Sequence, residues 1–272
     1  ILTFFAIYYL RELFIVPGEF RPAFNVENPL WFEMNKSIHY ATGITVIMFY
    51  LRLLFFPHPL LFYYGYNEIP MAGFSDLPVI VSLILLAALT FYAFLTLRKK
   101  DLISFSIFYF IITISMASNI VVPINGIIAE RMAYAPSLAF CIVAAMLIFR
   151  LSKFPIDSSV MQKKIFKKVF LLSMILLIPF SIKTISRNFL WKDPITLFSH
   201  DIPYLKKSVK ANDLMASTLV DESNKEKNPI KKEKQLRDAV GYYKTAVANY
   251  DEYAIGWNNM GIIYFEHLNE PD

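Results

Sequence analysis

The sequence predicts an all-α protein, a polytopic transmembrane helical bundle followed by a solenoid of short helical repeats. Three observations carry this reading. Of the 272 residues, 56% are hydrophobic and 18% charged, with a mean hydropathy of +0.44; soluble domains average roughly 45–50% and about 25%. Charge is divided unevenly, since residues 1–186 hold 15 Lys/Arg and 9 Asp/Glu while 187–272 hold 12 and 13. The apolar pattern also changes near residue 187, from unbroken runs to amphipathic helix. The net charge of +5 therefore resolves into +6 beside apolar segments and −1 in the remainder. Such positive charge sets membrane orientation and does not signal a nucleic-acid partner.

A helix needs about 20 apolar residues to cross about 30 Å of hydrocarbon. Residues 1–16 read as the end of a span, interrupted by Arg11 and Glu12, and 37–56 is long enough but carries His39 and Arg52. Charge is absent for 21 residues in 77–97, for 28 in 102–129, for 18 in 132–149 and for 14 in 169–182. The expected spans are 1–16, 37–56, 77–97, 102–122, 133–150 and 167–186, with Lys183 placed to snorkel. Together these form the C-terminal part of a multi-span membrane domain, 1–186. The Arg98-Lys99-Lys100 turn and the lysine-rich 150–168 connection share one side, which the positive-inside rule makes cytoplasmic. Loops 57–76 and 120–132, and everything after 187, take the opposite, lumenal or periplasmic face. Segment 17–36 sets Arg21 and Lys36 against Glu19, Glu27 and Glu33. It is cytoplasmic if 1–16 and 37–56 both cross and lies on the outer face if 37–56 is half-inserted or interfacial; both readings stay open.

After a connector at 187–208, residues 209–272 carry a 34-residue register. Trp257, Met260, Gly261 and Tyr264 fit the first helix of a tetratricopeptide repeat starting at 254, and Ala239, Tyr243 and Ala246 the second helix of a repeat starting at 220. Asn212, Met215, Ala216 and Leu219 fit the earlier first helix, which leaves the polar stretch 221–233 as an expected exposed loop. A solenoid needs about three repeats, so the chain reads as part of a longer protein.

No glycine-rich phosphate loop, H-E-x-x-H, G-x-S-x-G or C-x-x-C occurs, and His39, His58, His200 and His267 lack metal-ligand spacing. No metal site is expected within the chain, and the single Cys141 excludes an internal disulfide. Ionisable residues at membrane depth remain as candidates. Glu130 and Arg131, with Tyr134 following, stand at the entry to the 133–150 span. There Arg131 can bind a phosphate or carboxylate while Glu130 holds its guanidinium, or the two form an interfacial anchor. Arg52 reads as a snorkelling side chain or a lipid-phosphate contact. His58, between two prolines, reads as a rigid loop residue or a base.

The run Ala129-Glu130-Arg131 with Tyr134 and Pro136-Ser137 resembles the membrane domain of the transmembrane and tetratricopeptide-repeat-containing O-mannosyltransferases. So do Asn28-Pro29, the 53–59 and 64–70 stretches, and Trp191 with Thr196-Leu197-Phe198. The resemblance is colinear over the chain. It implies a C-type glycosyltransferase, with a polyprenyl- or dolichyl-phosphate-linked mannose as donor and protein Ser/Thr hydroxyls as acceptors. It also implies residence in a bacterial inner membrane or the endoplasmic reticulum, with protein or peptide bound by the repeats. The family's catalytic acidic loop has no counterpart here and is expected upstream of Ile1. A divalent cation or protein cations would serve the departing phosphate. The competing expectation is a non-enzymatic, membrane-anchored repeat scaffold for protein–protein interaction.

Overall fold

The computed structural model describes residues 25–121, 123–153 and 163–270. The expected span at 1–16 lies outside them. Among the described residues nine α-helices follow in order: α1 (Lys36–Phe55), α2 (Leu77–Thr96), α3 (Leu102–Ser115), α4 (Tyr134–Ser152), α5 (Lys163–Leu190), α6 (Pro194–Asp201), α7 (Val209–Lys225), α8 (Pro229–Asn249) and α9 (Ala254–Ile262). No strand is formed among the described residues; a single antiparallel bridge joins Tyr64 to Ile128.

Four helices are long and apolar enough to cross a membrane: α1, α2 with its extension to Lys99, α4 with its preceding turn from Glu130, and α5. The protein is thus a multi-pass membrane protein. Local chemistry sets the helix ends. Asn35 caps α1 by accepting from Ser37 N, and the helix stops at Phe56 because Pro57 disfavours a helical residue before it. Lys100 and Lys153 close α2 and α4 in the left-handed conformation.

The 102–122 expectation changes most. Helix α3 has 14 residues and ends at Ser115, about 21 Å at 1.5 Å per residue. Beyond it Ser118 Oγ bonds Ser115 O at 2.7 Å, and Asn119 adopts φ +61°. Ser and Asn side chains offer the backbone alternatives to the helix, and Asn tolerates the left-handed region. The chain from 116 to 129 is therefore a folded connection, not the end of a span.

Asn119 organises that connection. Its Oδ1 accepts from Asn28 Nδ2 at 2.8 Å and Ile124 N at 3.0 Å, its Nδ2 donates to Ile127 O at 2.8 Å, and its carbonyl lies 2.7 Å from His39 Nε2. Asn28 also donates to Ile124 O at 2.7 Å and accepts from Leu30 N at 3.0 Å. Both asparagines are fully buried. Gly43 of α1 lets this connection approach closely, since a Cβ there would stand 3.0 Å from the Ser118 carbonyl.

Helices α7, α8 and α9 pack as successive hairpins. Met215, Ala216, Leu219, Ala239, Tyr243, Ala246 and Met260 are buried between them. Trp257 is 55% exposed and donates from Nε1 to Asp251 O at 2.8 Å; Gly261 is exposed and Tyr264 half-buried. Gly256 permits the close approach of α8 and α9, because a Cβ would meet Val247 at 2.8 Å. The expected loop at 221–233 is mostly helix. Helix α7 continues to Lys225, and Asn228 caps α8 by accepting from Ile230 N and Lys231 N with Pro229 in the first turn. Its Glu and Lys residues are good helix formers, and the pairs Glu222–Lys225 and Glu233–Arg237 lie at helical spacing.

Replacing Asn119 by Ala should lower the thermal unfolding temperature of the detergent-solubilised protein, by the equivalent of about 1–3 kcal/mol for each buried group orphaned. An unchanged midpoint would show that water or a rearranged Asn28 replaces it.

Candidate functional site

Opposite the Arg98–Lys100 turn, the ends of the helices carry a face built from three segments: 25–35, 57–76 and 116–133. Two carboxylates pin it. Glu130 opens a short 3-10 turn, Glu130–Ala133, ahead of α4. Its Oε1 accepts from Leu61 N at 2.6 Å and from the Tyr64 hydroxyl at 2.8 Å. Burial and the adjacent Glu130 charge push the Tyr64 hydroxyl well above the usual phenol range, which keeps it a donor. Ile127 N donates to Tyr64 O at 3.0 Å, and Gly126, at φ +80°, makes the turn that allows it. Tyr50 OH accepts from Ala129 N at 2.9 Å.

Asp201, fully buried at the end of α6, is the second pin. Its two oxygens accept from Arg187 Nη1 and Nη2 at 2.7 and 2.8 Å, and Oδ2 also accepts from Phe62 N at 2.8 Å. His200 Nδ1 lies 2.7 Å from Oδ1. One carboxylate thus ties the end of α5, helix α6 and loop 57–76 together. Rings reinforce the joint: Phe62 meets Phe198 at 4.4 Å and Tyr66 meets Tyr250 at 5.5 Å. Leu197 is buried beneath, and Asp193 caps α6 by accepting from Thr196 N.

The anticipated residues fall in three places. Glu130 serves loop 57–76 and does not orient Arg131. Arg131 and Tyr134 are exposed, Tyr134 by 86%. Arg52 lies 4.8 Å over the Phe49 ring, in a groove of about 730 Å³ that also takes in Asp76. His58 joins residues that the sequence did not single out. With Lys183, Ser186, Arg187, His200 and Tyr204 it lines a small cavity of about 70 Å³. There Lys183 Nζ stands 3.3 Å from His58 Nδ1, and the His58 ring meets Tyr204 edge-on at 5.9 Å. Arg187 is 7% exposed and its Nε is buried without a hydrogen-bond partner. The one sequence signal for this cluster was Lys183 closing a charge-free run.

A separate apolar cavity of about 310 Å³ is lined by Leu54, Phe55, Leu89, Phe110 and Phe140 among others. Aromatic contacts lead from this cavity to helix α5. Phe140 meets Phe55 at 5.1 Å and Phe180 at 5.9 Å, and Phe180 precedes Lys183 by three residues on α5. Among the described residues, no group of three or more His, Cys, Asp or Glu side chains is placed to hold a metal ion.

Asp201→Ala should destabilise the fold by about 3–5 kcal/mol, because it strands a buried guanidinium. Arg187→Met combined with Asp201→Leu should cost less than Asp201→Ala alone, as read by thermal unfolding. Glu68, in loop 57–76, is held up at about 7 by burial, against the partial relief of Lys207. A raised acid favours the fold while protonated. The contribution is therefore complete below about 4.5, the ordinary value, and is lost as pH rises through about 7. Glu68→Gln should flatten the stability–pH curve in that window.

No family model matches the chain, and no solved structure matches it. Curated relatives do. Protein O-mannosyl-transferase TMTC1 of Mus musculus is 24% identical over 264 residues, 94% of this chain and 26% of that protein. The Homo sapiens TMTC1 is 23% identical over 235 residues, 84% of this chain and 25% of that protein. Protein O-mannosyl-transferase TMTC3 of Homo sapiens is 34% identical over 113 residues, 41% of this chain and 11% of that protein. The chain spans about a quarter of the length of the TMTC1 relatives. These matches agree with the motif resemblance: the chain is related to the TMTC protein O-mannosyl-transferases.

Proposed function

We propose that this chain belongs to a membrane glycosyltransferase that moves mannose from a polyprenyl- or dolichyl-phosphate donor to Ser or Thr hydroxyls of a protein. The observation that carries the reading is the alignment of most of the chain with proteins named O-mannosyl-transferases. In such a transfer the acceptor oxygen bonds to the anomeric carbon of the sugar, and the bond from that carbon to the phosphate oxygen breaks. The hydroxyl proton passes to a base. The lipid phosphate leaves with added negative charge, which positioned cations stabilise.

The geometry favours the His58–Lys183–Arg187 cavity for that phosphate. At about 70 Å³ it offers the volume share of about two waters, enough for phosphate oxygens and too little for a sugar ring. The partnerless Arg187 Nε and the Lys183 ammonium are its donors. The apolar cavity of about 310 Å³ suits the start of an isoprenoid chain and matches the lower end of the roughly 300–1,000 Å³ range of ligand pockets. The sugar would then lie on the face that carries Arg131 and Tyr134. On this reading the face is lumenal or periplasmic. Helices α7–α9 begin a tetratricopeptide solenoid there that presents the acceptor.

The test is transfer from polyprenyl-phosphate mannose to a Ser/Thr peptide by the full-length protein in proteoliposomes. Lys183→Gln should lower turnover by roughly 10²-fold, as loss of one oxyanion donor does, and Arg131→Ala by less. Normal turnover in Lys183→Gln would remove the cavity from the mechanism, and no transfer by the parent protein would remove the reaction itself.

A further inference from the structure

Helix α1 has 20 residues, about 30 Å at 1.5 Å per residue, and by length it could cross the bilayer. Its flanking segments argue otherwise. Before α1, Val26 O accepts from Tyr66 N at 3.2 Å, and Asn28 bonds Asn119 and Ile124. After α1, Leu61 N bonds Glu130 and Phe62 N bonds Asp201. Asn119, Ile124 and Glu130 all belong to the connection between α3 and α4, and Tyr66 and Leu61 both belong to loop 57–76. Both ends of α1 are therefore fastened to the same loops, at the end of the bundle opposite the Arg98–Lys100 turn.

Helix direction supplies a separate argument. Ala41 packs in one buried cluster with Ala72 and Val79. Thr45, Met48 and Arg52 share a groove with Asp76, Val81 and Ser82, and Leu51, Leu54 and Phe55 share a cavity with Leu85, Leu86 and Leu89. The register advances together, so α1 runs parallel to α2. Consecutive crossing helices alternate in direction; two parallel ones require the intervening chain to climb back. Residues 56–76 do so, from Phe55 beside Phe140 up to Asp76 at the head of α2.

We infer that α1 is a re-entrant helix, entering and leaving the bilayer on the same face as loops 57–76 and 116–133. Phe140, six residues into α4 and in ring contact with Phe55, and Leu85 to Leu89, eight to twelve residues into α2, put the α1 tip about 9–18 Å down at 1.5 Å per residue, inside a hydrocarbon core of about 30 Å. Non-helical backbone is tolerated at that depth only where protein surrounds it. Accordingly α1 is the most enclosed of the four long apolar helices, and at its tip Phe56 N donates to Arg52 O at 2.8 Å and His58 N to Phe56 O at 2.7 Å. The lack of positive bias in 17–36 agrees with a segment outside the basic face.

The test uses single cysteines in the full-length protein, with Cys141→Ser as background, in sealed membrane vesicles of known orientation. Met34→Cys (at 91% exposed), Asn67→Cys and Arg98→Cys all lie at exposed positions. With a membrane-impermeant maleimide, Met34→Cys and Asn67→Cys should be labelled from one side and Arg98→Cys only from the other. Labelling of Met34→Cys from the Arg98 side would overturn the inference. Trp31→Cys, on the same flank, repeats the measurement should Met34→Cys fail to express. The outcome does not depend on the glycosyltransferase reading.

Discussion

Irregular backbone beside a bilayer must find its hydrogen bonds within the protein, and the loop face of this molecule is built around that constraint. Three polar side chains, Asn119 and Asp201 buried and Glu130 half-buried, meet most of it. Asn119 serves the 116–129 connection, Glu130 the start of loop 57–76, and Asp201 its next turn together with the end of α5. Two come from the connection between α3 and α4 and the third from the end of α6, so loops that would be independent become mutually dependent. The depth of the α1 tip, the walls of the basic cavity and the attachment of α6 to the membrane bundle all rest on these bonds.

The same bonds decide which charges face outward. Glu130 Oε1 and the two Asp201 oxygens accept from backbone amides, a tyrosine hydroxyl and one guanidinium, while Arg131 and Arg52 are exposed and Lys183 is half-buried at its cavity. Cations whose neighbouring carboxylates are already engaged are suited to an anion such as phosphate. The distinction is invisible in net charge, because acids and bases contribute to it equally.

Much of the membrane fold was legible in the sequence, because charge-free windows of the right length have few alternatives in water or lipid. The limit of α3 was not. The charge-free run continues to Ala129, and the helix yields to side-chain bonds of Ser118 and Asn119 that hydropathy does not register. The pairing of Glu130 with Arg131 misled for a geometric reason. They are neighbours in a 3-10 turn, where successive side chains diverge by about 120° at three residues per turn, so an adjacent acid and base face different surroundings. The basic cavity was illegible because its members come from residues 58, 183, 187, 200 and 204, across the division drawn at 187. In 221–233, charge was read as loop where Glu and Lys extend helices.

That division at 187 has a physical reading of its own. Helix α5 runs unbroken for 28 residues, about 42 Å at 1.5 Å per residue, longer than a hydrocarbon core of about 30 Å, so its last turns project beyond the bilayer. Lys183 and Arg187, four residues apart, lie one above the other on a single helix face. The lower cation lines the cavity; the upper one lines it too and is held by Asp201, which fixes α6. Helix α6 leads directly into α7–α9, and loop 57–76 braces α8 through Tyr66 and Tyr250. A peptide held by those helices would stand at a defined distance from the cavity, because one rigid helix carries both the cavity wall and the joint. On the function proposed above, with the donor confined to the membrane and the acceptor outside it, orientation of the two would be a large part of the barrier, and the Arg187–Asp201 pair would hold the two parts in register.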